Sequence, residues 1–314
     1  MTRAVVFAYH DVGVRCLRVL LAQGVTVPLV VTHTDDPGEQ IWFESVARHA
    51  RWHGLKVITP GAAEDSELRE QVRAARPDFL FSFYYRHMLS AELLATAPRG
   101  AYNMHGSLLP KYRGRVPVNW AVLRGETETG ATLHAMTARA DDGGIVDAQA
   151  VPILPDDTAG EVFRKVTVAA ELTLQRSLPG LLAGTLALRA QDPAQASYFG
   201  RRTRADGAID WRLGAAAVHN LVRAVAPPYP GAFALAGGMP LRVLRSLPAP
   251  GVGAGAGAGA SPPVLRWIDG DVRALCHDGA LRLLEFELDG QPLDAAAFHA
   301  RFGGAPLALE NGRP

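Results

Sequence analysis

The sequence predicts an α/β fold built on a mostly parallel sheet, followed by a smaller β-rich domain. Over residues 1–100, short apolar segments alternate with amphipathic or polar ones. The apolar segments are hydrophobic throughout, which is typical of strands covered by helices on both faces. From about Asp206 onward, short strand-like runs at residues 241–244 and 281–288 indicate a small, mostly-β domain.

The elements of the first domain follow from these runs in order. Five apolar runs predict strands at residues 4–8, 25–31, 55–58, 79–83 and 101–104. Amphipathic segments predict helices at residues 12–21 and 40–53. Residues 130–137 and 145–154 predict two more strands, joined through a turn at Asp141. Thr158 and Glu161 form a capping box, which predicts a long helix ending near residue 182.

The composition is typical of a two-domain globular protein. The 314 residues are 48% hydrophobic and 20% charged, and the formal net charge is +1. This length is ample for two domains, and so small a net charge gives no overall attraction to nucleic acid or to an anionic membrane. Cys16 and Cys276 suggest neither a disulfide framework nor a metal site. No signal peptide and no run of about 18 apolar residues is found, so we expect a cytoplasmic protein without membrane insertion.

The most informative segment runs from Asn103 to Arg115. Asn103 and His105 are two residues apart on a predicted strand, so both side chains point to one face of the sheet. A hydrogen-bonding amide and a proton-carrying imidazole are the minimal set for an acyl-transfer transition state. A carboxylate from elsewhere would orient the imidazole. The turn at Asp141 and Asp142 provides two such groups.

Each of these residues alone is more often structural, because histidines fill cores and Asp-Asp-Gly-Gly forms ordinary turns. Their combination with the segment at residues 107–114, which predicts an ordered loop, favours a catalytic site at the carboxyl end of the strand. The residues after the first strand lack the three-glycine dinucleotide fingerprint, and no P-loop or zinc-ligand pattern is found. We therefore expect no NAD and no metal.

The segment resembles the signature of the 10-formyltetrahydrofolate-dependent formyltransferases, Asn-x-His-x-Ser-Leu-Leu-Pro with a downstream Asp-x-Gly. Within this family it is most similar to the formyltransferase half of the bifunctional bacterial enzyme that acts on UDP-4-amino-4-deoxy-L-arabinose. The resemblance covers about residues 3–235 and is faint beyond them. The matching stretches are residues 5–11, 32–39, 81–87, 125–130, 199–203 and 228–233.

The resemblance implies a Rossmann-like catalytic domain at residues 1–203 and an OB-like domain at residues 204–314. The Gly/Ala-rich residues 251–260 are expected to form a flexible surface loop in the second domain. The implied reaction moves a formyl group from 10-formyltetrahydrofolate to the 4-amino group of the UDP-linked sugar, a step in lipid A modification and polymyxin resistance. The bifunctional relative also has a decarboxylase half. We expect another polypeptide to supply that activity.

The resemblance also implies roles for individual residues. Asn103 and His105 would stabilise the oxyanion, and Asp141 would orient His105 and raise its pKa, with Asp142 left as the alternative. The implied donor-binding residues are His87, Met88, Leu89, Arg115, Thr137, Ala138, Arg139, Ala140 and Asp141. The candidates for the nucleotide-sugar acceptor are Tyr9, His10, Arg201, Arg202 and Arg204.

Arginine suits a diphosphate through bidentate pairing, although a solvated arginine cluster is the competing interpretation for the last three. Three other functions are open alternatives: formylation of methionyl-tRNA, formylation of another nucleotide-linked amino sugar, and a catalytically idle binding protein. A tRNA partner would require clustered basic residues. Residues 206–314 contain nine arginines, no lysine and ten acidic residues, and the loop at residues 33–39 is acidic. We therefore expect a UDP-linked amino sugar as partner and no nucleic acid.

Overall fold

The computed structural model describes residues 1–61, 66–249, 262–276 and 278–312. The chain forms two compact units. The first comprises Met1–Pro117, Glu128–Pro152 and Phe163–Gly200, and the second comprises Val118–Thr127, Ile153–Val162 and Arg201–Pro314. The predicted loop at residues 251–260 lies outside the described residues. Within the described part of the chain, no helix combines the length and the apolar character needed to span a membrane.

The first unit is built on a seven-stranded sheet in the order β3-β2-β1-β4-β5-β7-β8. Strands β1 to β5 run parallel, β7 is antiparallel to β5, and β8 is antiparallel to β7. The prediction of a mostly parallel sheet is therefore confirmed. The strands of this unit are β1 (Arg3–Ala8), β2 (Thr26–Val31), β3 (Val57–Ile58), β4 (Phe79–Phe83), β5 (Ala101–His105), β6 (Arg113–Gly114), β7 (Glu128–Ala135), β8 (Ile145–Pro152) and β9 (Tyr198–Phe199).

Helices follow most of these strands, as the alternating pattern predicts. They are α1 (His10–Ala22), α2 (Val46–Trp52), α3 (Ser66–Ala75), α4 (Ala91–Leu94), α5 (Pro117–Leu123) and α6 (Ala159–Ala183). The capping box at the start of α6 is present, since the Thr158 N–H donates to the Glu161 carboxylate at 2.7 Å and the Glu161 N–H donates to Thr158 Oγ1 at 3.3 Å. Helix α6 ends at Ala183, close to the predicted end.

The helix predicted over residues 40–53 is wrong in its first half, because α2 begins only at Val46. Ser45 is the true start signal, since its hydroxyl accepts a hydrogen bond from the Arg48 N–H. Trp42 and Phe43 both pack on the ring of His10, with ring centroids 4.6 and 3.9 Å away. Adjacent residues of a helix point about 100° apart, so a helical backbone would direct only one of them at His10. Tertiary packing overrides the local pattern here.

The second unit is an antiparallel barrel, consistent with the predicted OB-like fold. Its strands lie in the order β11-β10-β16-β12-β13-β14-β15, and pairing of β11 with β14 closes the barrel. Trp211, Phe286 and Phe298 are buried in its core. The elements are α7 (Ala215–Val225), β10 (Ala232–Ala236), β11 (Met239–Ala249), β12 (Val264–Ile268), β13 (Asp271–Cys276), β14 (Gly279–Leu288), β15 (Gln291–Leu293), α8 (Ala295–Phe302) and β16 (Leu307–Glu310).

Candidate active site

Asn103 and His105 lie at the end of β5 and contact the same carboxylate. His105 Nδ1 is 3.4 Å from Asp141 Oδ1. Asn103 Nδ2 donates to the same oxygen at 3.4 Å. The two side chains share a face of the sheet because they are two residues apart on one strand. The structure thus brings the three residues singled out in the sequence together around one oxygen atom.

The turn between β7 and β8 places Asp141. Its φ angle is +54°, in the left-handed region that residues with a Cβ atom rarely occupy. Gly143 allows the turn to close, because a Cβ atom there would lie 1.9 Å from the Ala135 carbonyl oxygen. The Gly114 N–H donates to Asp141 Oδ2 at 2.9 Å, so both carboxylate oxygens have partners. Strained backbone of this kind is common at functional sites.

The ordered loop after β5 fixes the other side of the His105 ring. His105 Nε2 is 2.8 Å from the Tyr112 carbonyl oxygen. A carbonyl only accepts hydrogen bonds, so Nε2 carries a hydrogen and Nδ1, which faces Asp141, is the nitrogen that can gain a proton. The loop is held by Thr132, whose hydroxyl donates to the Ser107 carbonyl at 2.6 Å and accepts from the Leu109 N–H at 3.2 Å.

The pKa values of this pair depend on burial as well as on the contact between the two side chains. Burial lowers the pKa of His105 below its ordinary value, and this effect outweighs the opposing influence of Asp141 and of the Tyr112 carbonyl. Burial by itself would raise the pKa of Asp141, but His105, His134 and the Gly114 N–H together hold that pKa below its usual value. Asp141 raises the pKa of His105, as predicted, but desolvation of the ring dominates and the net pKa is lowered. His105 is held neutral beside an ionised carboxylate.

Asp142, the alternative partner, lies elsewhere. Its carboxylate forms an ion pair with Arg113, whose Nη1 is 2.5 Å from Asp142 Oδ1, and a longer one with Arg139 at 3.8 Å. Of the two adjacent carboxylates, Asp141 is the one in contact with His105.

Sequence reasoning missed His134, which is 1% exposed in the same cluster. His134 Nε2 is 3.1 Å from Asn103 Nδ2 and 3.4 Å from Asp141 Oδ1. His134 lies directly opposite Asn103 in the antiparallel pair of β5 and β7. A histidine within a predicted strand that leads to the Asp141 turn was the available signal, but only the strand pairing shows which residue it faces.

Two further residues that the sequence did not reveal hold the Asp141 turn. Gln191 Nε2 donates to the carbonyl oxygens of Asp141 and Gly143 at 2.8 and 2.7 Å. Gln191 Oε1 in turn accepts from the buried Arg113, whose guanidinium also donates to the Tyr198 hydroxyl at 2.7 Å. Nothing in the local sequence around residue 191 signals this contact.

The residues predicted to bind the formyl donor lie on two segments of the first unit. Residues 84–90 follow β4 without regular secondary structure, and the Met88 side chain is 55% exposed. Arg115 Nη2 approaches the Arg86 carbonyl oxygen at 3.5 Å, which places Arg115 beside this segment. Residues 137–140 form the approach to the Asp141 turn, where Thr137 Oγ1 donates to the Arg139 carbonyl oxygen at 3.0 Å.

Tyr9 and His10, predicted acceptor residues, are buried among aromatic rings. The Tyr9 hydroxyl donates to Asp35 Oδ1 at 2.7 Å, and Arg86 lies over the Tyr9 ring. His10 stacks on Phe43, and its Nδ1 accepts the Asp11 N–H at 3.0 Å. Burial, with a contribution from Arg86, lowers the pKa of His10 to about 3. Contact of these two residues with an acceptor stays a prediction.

The three arginines predicted to bind the acceptor diphosphate belong to the second unit. Arg202 lies over the Trp120 ring at 4.9 Å and donates to the Asp206 carbonyl oxygen at 2.8 Å. Arg201 and Arg204 are exposed. Their role as a diphosphate site also stays a prediction.

Two family models match the chain. The model described as formyl transferase matches residues 17–178. The model described as formyl transferase, C-terminal domain, matches residues 201–303. The cluster of Asn103, His105 and Asp141 lies within the first of these matches.

Solved structures with the same fold include sugar N-formyltransferases. An N-formyltransferase from Helicobacter canadensis, in complex with folinic acid and dTDP-3-aminofucose, is 20% identical, with a TM-score of 0.71 over 93% of this chain and 100% of that chain. A 4-N formyltransferase from Francisella tularensis is 17% identical, with a TM-score of 0.61 over 74% of this chain and 91% of that chain.

A third solved structure is HypX from Aquifex aeolicus in complex with tetrahydrofolic acid. It is 16% identical, with a TM-score of 0.62 over 95% of this chain and 47% of that chain. At these identities the likeness is one of fold. The first family model matches residues 17–178, more than half of the 314 residues, and this match shows the family. The matched range includes the cluster at the end of β5. The chain belongs to the formyl transferase family and is a formyltransferase.

Proposed function

We propose that this enzyme transfers the formyl group of 10-formyltetrahydrofolate to the 4-amino group of UDP-4-amino-4-deoxy-L-arabinose. The observation that carries the reaction type is the convergence of Asn103 and His105 on Asp141. An amide donor, an imidazole and a carboxylate are the groups needed to move a formyl group between nitrogen atoms. Residues 1–203 would form the catalytic domain and residues 204–314 the OB-like domain.

We assign each of these three residues a part in the reaction. When the acceptor amine attacks the formyl carbon, the Asn103 amide donates a hydrogen bond to the formyl oxygen as it becomes negative. The amine loses a proton, and His105 accepts it on Nδ1. Asp141, which lies beside Nδ1, stabilises the resulting imidazolium. His105 then returns that proton to the departing folate nitrogen. The C–N bond to the acceptor forms as the C–N bond to the donor breaks, so no redox partner is required.

The donor site is proposed at residues 87–89, Arg115 and residues 137–141. Irregular backbone after β4 can pair with the hydrogen-bonding edge of a pterin, as in strand addition. The exposed Met88 side chain offers an apolar surface to a ring lying along this segment. Folinic acid and tetrahydrofolic acid are the ligands named for two of the similar solved structures, which supports a folate donor here.

The acceptor assignment has separate support. The residues resemble the UDP-4-amino-4-deoxy-L-arabinose enzyme over about positions 3–235, and the loop at residues 33–39 is acidic, which disfavours tRNA. We propose Tyr9, His10, Arg201, Arg202 and Arg204 as acceptor residues, with the arginines binding the diphosphate. The formylated sugar would then serve lipid A modification and polymyxin resistance.

A dTDP-linked amino sugar is the second candidate acceptor. One of the similar solved structures is named as a complex with dTDP-3-aminofucose, and another as a 4-N formyltransferase. The chemistry at Asn103, His105 and Asp141 would be the same for either sugar. Only the part of the site that binds the nucleotide and the sugar ring would differ.

A substrate panel tests the proposal. The purified protein is incubated with 10-formyltetrahydrofolate and, in turn, UDP-4-amino-4-deoxy-L-arabinose, dTDP-3-aminofucose, a UDP-linked amino hexose and methionyl-tRNA. Formylated product is measured by mass spectrometry, with Asn103→Ala, whose turnover should fall by about 100- to 1000-fold, as the control. We expect product with the UDP-linked pentose. Turnover of methionyl-tRNA alone, with binding that weakens steeply as salt is raised, would overturn the assignment. Equal turnover of the hexoses would widen the acceptor class.

A further inference from the structure

His134 is a buried residue that contacts the cluster and has no part in the proposed reaction. Its side chain faces Asn103 across the β5–β7 pair, with Nε2 3.1 Å from Asn103 Nδ2. On the other side of the ring, Nδ1 is 2.9 Å from the Ala135 carbonyl oxygen. Each ring nitrogen therefore has a polar neighbour, and of these only the Ala135 carbonyl has a fixed hydrogen-bonding role.

The Ala135 carbonyl determines the tautomer of His134. A carbonyl oxygen only accepts, so Nδ1 must carry the hydrogen of this bond. In a neutral imidazole, the other nitrogen is then an acceptor. Nε2 of His134 has two polar neighbours, Asn103 Nδ2 at 3.1 Å and Asp141 Oδ1 at 3.4 Å. In the neutral ring Nε2 presents a lone pair, and Asn103, the nearer of the two, is the one with hydrogens to donate to it.

The tautomer of His134 in turn determines which way the Asn103 amide faces. A lone pair on Nε2 attracts the NH2 group of the amide and repels its oxygen atom, so Nδ2 must be the atom directed at the cluster. One of the two Nδ2 hydrogens is used by His134 at 3.1 Å. The other points towards Asp141 Oδ1 at 3.4 Å, which is a long contact. That second hydrogen is the one available to a formyl oxygen.

We propose that His134 is a positioning residue that fixes the orientation of the Asn103 amide, so that an N–H and not the amide oxygen meets the developing oxyanion. The Ala135 carbonyl fixes the tautomer of His134, and that tautomer fixes the orientation of the Asn103 amide. With the amide turned over, Oδ1 would meet the oxyanion and the stabilisation would become repulsion. This inference rests on the proposed formyl transfer at the same site.

The first test needs no substrate. ¹⁵N NMR of the histidine side chains in the wild-type protein at neutral pH distinguishes a His134 ring protonated at Nδ1 from one protonated at Nε2. We expect His134 to carry its hydrogen on Nδ1 and the Asn103 side-chain NH2 signals to become more alike in His134→Phe. A His134 ring protonated at Nε2 in the wild type would overturn the proposal whatever the activity of the enzyme.

The second test separates positioning from a merely structural role. His134→Phe removes the acceptor, and we expect kcat to fall by about 10- to 100-fold, the size of effect that misplaced catalytic groups produce. KM for the acceptor sugar should hardly change, because the His134 side chain is buried behind Asn103. His134→Gln keeps an oxygen that can accept from Asn103 and should recover most of kcat. In an Asn103→Ala background, His134→Phe should cause no further loss.

His219 provides a matched control. It is also a buried histidine with both ring nitrogens bonded, to Ser246 Oγ and to the Pro155 carbonyl oxygen, each at 3.0 Å. His219→Gln should leave kcat unchanged. If His134→Phe does not fold, as judged by circular dichroism, the glutamine variant and the wild-type NMR measurement still decide the question. Unchanged kcat in a folded His134→Phe would overturn this inference alone, whereas a wild type inactive with every acceptor would refute the proposed function.

Discussion

Two buried histidines, His105 and His10, lie at carboxyl ends of parallel strands in the first unit. His105 is the last residue of β5, and His10 follows β1 after a single residue. His105 has an oxygen atom beside each ring nitrogen, from Asp141 and from the Tyr112 backbone. His10 is surrounded by aromatic rings, with Phe163 4.5 Å and Phe43 3.9 Å from its centroid.

The difference shows what burial alone does to a histidine. Burial lowers the pKa of both rings. At His105 a carboxylate and a carbonyl oppose that effect, whereas at His10 the nearby Arg86 adds to it and the pKa falls to about 3. A buried imidazole can accept a proton only where nearby oxygen atoms stabilise the imidazolium that forms. Four changes would break or sharpen this contrast.

The largest effect is expected from His105→Ala. Loss of the proton acceptor should reduce kcat by about 1000-fold or more, while donor binding and the fold remain. Single-turnover kinetics and calorimetric titration with the folate measure the two quantities separately. His10→Phe should act mainly on stability and on KM. An equal loss of kcat in a well-folded His10→Phe protein would remove the contrast between the two rings.

Replacing the carboxylate comes next. Asp141→Asn should lower kcat by about 100-fold, and Asp142→Asn is the matched control, because its carboxylate pairs with Arg113. Asp141 raises the pKa of His105, so its removal should lower that pKa further. Since His105 must be neutral to accept a proton, the acidic limb of kcat/KM should move to lower pH in Asp141→Asn. A limb that moves to higher pH would contradict this sign.

A smaller effect is expected when the turn is displaced without removing a functional group. In Gly143→Ala the new Cβ atom would lie 1.9 Å from the Ala135 carbonyl oxygen, so the turn that carries Asp141 must shift. We expect kcat to fall by about 10- to 100-fold. Gly200→Ala is the control, because a Cβ atom there meets nothing within 4 Å. Retained activity in Gly143→Ala would mean that the site tolerates movement of the carboxylate.

The smallest effect at neutral pH concerns His10. The unfolded chain binds a proton near pH 6.5, whereas folded His10 binds one only near pH 3. The unfolded state therefore holds more protons between these two pH values. As the pH is lowered through this range, the free energy of unfolding should fall by up to about 1.4 kcal/mol per pH unit. Denaturant unfolding of wild type and His10→Phe, compared at pH 7 and pH 4, measures it. The variant should lose less stability on acidification, and a parallel decline would contradict the assignment.

Several features could be predicted because they depend on neighbours in the chain. The spacing of Asn103 and His105 places both on one strand face, whatever else the chain does. The capping box at Thr158 is likewise local, since its two partners are one helical turn apart. The apolar runs gave the strands for the same reason. The boundary of α2 could not be predicted from its pattern, since packing of Trp42 and Phe43 on His10 decides it.

The sequence by itself determined the strands, the fold class and the shared face of Asn103 and His105. It also narrowed the carboxylate partner of His105 to Asp141 or Asp142. Tertiary structure decided that Asp141 meets His105, that His134 faces Asn103, and that Gln191 holds the turn. It also decided the net direction of the His105 pKa. The reason is that dihedral preferences and side-chain periodicity act over a few residues, whereas strand pairing and desolvation depend on which distant segments surround a group once the chain has folded.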